Sequence, residues 1–90
     1  MNLVDVEKAL YLGDYVIEIS FNDGFKQTIN FKSFLFSSHH PDVVKYHNED
    51  LFKQFSITDG DLEWNDYELC FPIADLYENT NIEINDPNAV

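Results

Sequence analysis

The chain has 90 residues, 44% of them hydrophobic and 16% aromatic, and its 17 acidic against 5 basic side chains leave a net charge of -12. So much apolar surface excludes a disordered polyanion, and the length fits one domain around one core. The acid excess argues against direct nucleic-acid binding, which draws its affinity from lysine and arginine on phosphates; all five basic residues here are lysines, and the last is Lys53.

The lone Cys70 cannot form an internal disulfide, no basic and apolar leader opens the sequence, and its apolar runs fall far short of a membrane span. The expected compartment is the cytoplasm. Charge is uneven along the chain: residues 61–90 hold eight acids and no base. Such a segment steers a basic partner towards itself, or serves as a solvated face.

In chain order, "LVDVEKAL" alternates weakly and predicts a first strand with Val4 and Val6 on one face, ended by a turn at Gly13 and Asp14. "YVIEISFNDGFKQTINF" predicts a hairpin. A three-residue loop Asn22, Asp23, Gly24 makes partner numbers sum to a constant, so Phe21 faces Phe25, Ile17 faces Ile29 and Tyr15 faces Phe31, all on the buried side. A two-residue Asp-Gly loop would set Phe21 opposite Lys26 and split the faces. Phe34, Leu35 and Phe36 are expected to anchor a crossing segment that Pro41 interrupts.

"NEDLFKQF" predicts a short helix capped by Asn48, with Glu49 and Asp50 in its first turn and Leu51, Phe52 and Phe55 on one face. "FSITDGDLEW" predicts a second hairpin about Asp59-Gly60, pairing Ile57 with Leu62 and Phe55 with Trp64. "YELCF" then sends Tyr67, Leu69 and Phe71 inward, and Pro72 opens a helix whose Ile73, Leu76 and Tyr77 face the core. Residues 79–90 form a polar tail, with an edge strand at Ile82 and Ile84 as its one candidate element and a mobile end. The expected fold is α+β: a single domain over residues 1–78, an antiparallel sheet of two hairpins plus an N-terminal strand, and one or two short helices on one face.

Chemistry-bearing patterns are weak. The three glycines each sit beside an aspartate at a turn and belong to no phosphate loop. His39, His40 and His47 lie near Asp42 and Glu49 but match no metal-ligand spacing, and "DGDLE" lacks the alternating oxygens of a calcium loop. Cys70 has no adjacent base and has Glu68 nearby, which disfavours a thiolate. Trp64 reads as core. Alternation places Asp61, Glu63 and Glu68 on the solvent side, so no catalytic carboxylate pair is needed to explain them. No enzyme activity, cofactor or metal is expected.

The order "YVIEISFNDG", "NEDLFKQFSI", "DGDLEWNDYELCFPIADLYE" resembles the small bacterial family called domain of unknown function 2442. The matching features are the Phe21 to Gly24 turn, the Leu51 to Phe55 helix-into-strand, the Gly60 to Trp64 hairpin and the closing Asp75 to Tyr77, covering about residues 4–78. The resemblance implies an α+β fold and an antitoxin-like protein of a toxin-antitoxin pair, and carries no catalytic residues. Some relatives add a helix-turn-helix, for which this chain ends too soon, so direct DNA contact is not expected. The expected function is therefore an acidic, non-enzymatic interaction module that occludes a basic toxin or nuclease. Its candidate contacts are Asp61, Glu63, Asp66, Glu68, Asp75 and Glu78. The alternative is a nucleic-acid mimic of the kind that inhibits a defence nuclease. No membrane contact is expected, and a homodimer stays open.

Overall fold

The computed structural model describes residues 4–80 together with Ile82 and Glu83. Two antiparallel sheets of three strands each carry the fold. The first joins β1 (Val6–Gly13), β2 (Val16–Phe21) and β3 (Lys26–Asn30) in that order, and the second joins β4 (Phe55–Thr58), β5 (Asp61–Trp64) and β6 (Leu69–Cys70). Between them run α1 (Lys32–Ser37), α2 (Pro41–Val44), a 3₁₀ turn (Lys45–His47) and α3 (Glu49–Phe52), and α4 (Ile73–Glu78) follows the second sheet. The α+β class and the two hairpins stand as read from the sequence. No helix among the described residues is long and apolar enough to cross a membrane.

The first hairpin has the expected register, with Ile17 opposite Ile29, Val16 opposite Asn30, and Phe21 donating to the Phe25 carbonyl at 2.9 Å. Gly24 takes the left-handed φ of 93° that closes this loop. Ile17, Ile19 and Ile29 are fully buried, each worth about 1.5–3 kcal/mol against exposure. Phe25 departs from the expectation: it is 40% exposed at the open end of the hairpin, held between Phe21 and Tyr77 with ring centroids 6.1 and 4.6 Å away. Tyr15 faces the core from a left-handed turn position rather than from the strand.

The second hairpin pairs Phe55 with Trp64 and Ile57 with Leu62, as the Asp59-Gly60 loop requires. Trp64 and Leu62 are fully buried, but Ile57 is exposed at the sheet edge. Trp64 is the hub of the core. Phe31, Phe52 and Phe71 pack around it at centroid distances of 6.0, 5.3 and 5.9 Å, and its indole N–H donates to the Phe52 carbonyl at 2.6 Å. A buried indole keeps its polar group satisfied in this way.

The helices are shorter and more numerous than expected. Phe31 and Leu35, both fully buried and four apart, define the inner side of α1, while Phe36 on its outer side is exposed. Asn48 caps α3 by accepting the Asp50 N–H at 2.9 Å, as the sequence implies. That helix spans a single turn, so Phe52 alone turns inward, Leu51 is exposed, and Phe55 belongs to β4. Ile82 is fully buried and lies in a bend instead of a strand; Asn81 and residues 84–90, with Ile84 among them, lie outside the described residues.

The two sheets meet at the start of β1, where Val6 donates to the Gly60 carbonyl at 2.8 Å. Further along, Tyr11 donates to Glu49, and Tyr15 to the His47 carbonyl, tying β1 and its turn to the helical segment.

Candidate interaction surface

The carboxylates after residue 60 divide into structural and presented groups. Glu63 was expected to point outward, yet it is 5% exposed. The cause is the turn after β5. Asn65, Asp66 and Tyr67 all have left-handed φ angles, 51°, 56° and 66°, which sparsely allowed run folds the chain back over the Glu63 carboxylate. One oxygen accepts the Tyr67 N–H at 2.9 Å and the other the Thr58 hydroxyl at 2.8 Å. The Tyr67 amide, then the Thr58 hydroxyl, hold the Glu63 carboxyl below its usual range.

Glu68 is likewise engaged. Its Oε1 meets Lys45 Nζ at 2.5 Å, the Tyr46 hydroxyl at 2.8 Å and the Asn65 amide at 3.1 Å. Lys45 foremost, with those two donors, lowers its pKa to about 2. The Tyr46 hydroxyl is pushed upward in turn, by burial first and by Glu68 second. Glu68 thus bolts the β5–β6 turn to the 3₁₀ turn. Beside it lies a cavity of about 320 Å³ lined by Lys45, Leu51, Gln54, Ser56 and Asp66 among others.

The presented groups gather at the β4–β5 tip. The same left-handed turn that buries Glu63 throws Tyr67 outward, where it is 40% exposed instead of in the core. Its hydroxyl reaches back to donate to the Thr58 carbonyl at 2.9 Å and lies 3.3 Å from Asp61 Oδ2. Burial, then the charges of Asp61, Asp59 and Glu63, raise its pKa. Asp66 is exposed in the adjoining turn.

The sequence offered no signal for Asp5. Its side chain covers Gly60 so closely that a Cβ there would lie 2.6 Å from Asp5 Cγ, so a third aspartate joins Asp59 and Asp61 at the tip from the start of the chain. The remaining candidates sit apart on α4: Asp75, half-buried and accepting from the Thr80 hydroxyl at 3.2 Å, and Glu78, exposed at the helix end.

The histidines serve local roles. His40 caps α2 by accepting the Asp42 N–H at 3.2 Å. His47 stacks on Phe36 at 4.1 Å with its Nε2 2.6 Å from the Leu35 carbonyl, which assigns the proton to that nitrogen. Among the described residues no group of three or more His, Cys, Asp or Glu side chains is placed to hold a metal ion. Cys70 is exposed on β6.

The chain matches no family model, no curated protein and no solved structure.

Proposed function

We propose that this chain is a non-enzymatic acidic interaction module that binds a basic protein, in the manner of an antitoxin occluding a toxin or nuclease. The observation that carries the reading is Tyr67. An aromatic ring stands partly exposed, fixed by its hydroxyl to Thr58, with Asp59 and Asp61 acting on it and Asp66 beside it in the chain. Lys45, which lines the neighbouring cavity with Asp66, is already engaged by Glu68. A rigid aromatic rimmed by carboxylates accepts a lysine or arginine by cation–π and ionic contact together, and the wider charge of -12 steers it there.

The antitoxin-like part of the proposal draws on the order of motifs resembling domain of unknown function 2442. Asp5, Asp59 and Asp61 form the contact rim, Asp66 adds charge from the following turn, and Glu63 and Glu68 hold the turn that presents Tyr67. Asp75 and Glu78 add charge from α4.

The decisive experiment is co-expression with the product of the adjacent gene, followed by co-purification and an assay of that protein's activity. Binding that blocks the partner and weakens with salt supports the reading. A neighbour that neither binds nor is inhibited would remove it.

A further inference from the structure

The outer face of the first sheet has a charge arrangement unlike the rest of the molecule. Registers on both sides of β2 align Lys8, Ser20 and Lys26 in one row across the strands, and Leu10, Glu18 and Thr28 in the next. These side chains alternate with the buried Ile17 and Ile19 and so point away from the core. A groove of about 260 Å³ runs over this face, and Leu10 and Leu12 are 53% and 52% exposed, the most exposed large apolar side chains among the described residues.

Lys32, Lys45 and Lys53 pair within the chain with Asp14, Glu68 and Asp50. Lys8, Lys26 and Glu18 do not: among the described residues none of their side chains has a hydrogen bond or ion pair. Two free ammonium groups and one free carboxylate therefore share a groove on the central and flanking strands. Counting Glu7, this face is neutral on a chain of net charge -12.

We propose that this face docks on the same face of a second copy of the chain. A two-fold axis lying across the strands between the two rows sets the lysine row of each copy over the Glu18 row of the other. Strands are about 4.8 Å apart, so Glu18 then falls between Lys8 and Lys26 of the opposing copy, and symmetry makes the contact twice. Leu10 packs under the methylene stem of the opposing Lys8. Two surfaces of net negative charge repel each other, whereas on this face the charge pattern complements itself. The inference is independent of the basic-partner reading, which uses the hairpin tip.

Charge exchange tests it in the full-length protein by sedimentation velocity at up to about 100 μM, with circular dichroism confirming the fold. The wild-type chain should dimerise, and Glu18→Lys should weaken the dimer by about tenfold or more. That substitution lowers the overall negative charge, so a mere relief of repulsion would strengthen association instead. The triple exchange Glu18→Lys, Lys8→Glu, Lys26→Glu should restore the dimer although it raises the negative charge. A wild-type chain that stays monomeric, a dimer indifferent to Glu18→Lys, or a triple exchange that fails to restore association would overturn the proposal.

Discussion

Glu63 accepts the backbone N–H of Tyr67 at 2.9 Å, and this bond decides which of the two side chains faces solvent. The carboxylate lies under the turn and the tyrosine is displaced from the core. Glu63→Gln should therefore lower the melting temperature and speed amide exchange at Tyr67 and Glu68, because a neutral acceptor holds the left-handed turn less firmly. Unchanged exchange at those two amides would show that the turn stands without the charge.

Acid should loosen the same region. The Glu68 carboxyl falls from an ordinary value of 4.5 to about 2 in the folded chain, and Glu63 is also lowered. Groups depressed on folding contribute their stability above the unfolded value and lose it as pH falls towards the folded one. Stability should thus decline between pH 4.5 and about 2. Lys45→Met removes the main cause of the Glu68 shift, so thermal melts across that window should show a shallower slope. Identical slopes would place the acid sensitivity elsewhere.

Trp64→Ala should cost about 3–5 kcal/mol, the usual range for emptying a large aromatic site in a core. Trp64→Phe keeps most of the packing but leaves the Phe52 carbonyl without its 2.6 Å donor, a loss of about 1–3 kcal/mol. Chemical denaturation measures both, and a Trp64→Phe variant as stable as the wild type would mean that the indole N–H contributes nothing.

Gly60→Ala should be more damaging than Gly24→Ala. Both positions are left-handed, at 83° and 93°, and that conformation alone costs about 1–2 kcal/mol for a residue with a Cβ. Around Gly24 the space is open within 4 Å, whereas at Gly60 the new methyl would meet the Asp5 Cβ at 2.8 Å. Comparable melting temperatures for the two variants would contradict the packing of Asp5 on the hairpin tip.

Replacing Asp59, Asp61 and Asp66 by Asn should slow association with a basic partner and flatten its salt dependence, since exposed charges act mainly on encounter and are screened over about 8 Å. Tyr67→Ala should instead raise the dissociation rate, as loss of an anchoring ring does. Stopped-flow or surface-binding kinetics separate the two effects; a partner indifferent to all four changes would move the contact surface away from this tip.

Both hairpins were legible in the sequence because period-two alternation and loop length together leave one register that keeps large apolar residues on one side. Ile17 opposite Ile29 and Phe55 opposite Trp64 follow from that arithmetic, and the Asn48 cap from a local hydrogen bond. Alternation stops informing where the backbone leaves the strand. The left-handed run at Asn65, Asp66 and Tyr67 reverses the faces, so Glu63 is buried and Tyr67 exposed. Whether a carboxylate is buried depends on donors folded over it, and those come from the turn and from the neighbouring strand rather than from its own periodicity. Asp5 meets Gly60 only once the start of β1 docks on the second hairpin, a contact between distant segments that no local pattern records. Local spacing determined the strands and their partners; the left-handed turn, the helical segment and the docking of β1 on the second hairpin decided which charges are presented, because they bring donors and acceptors together that no local period relates.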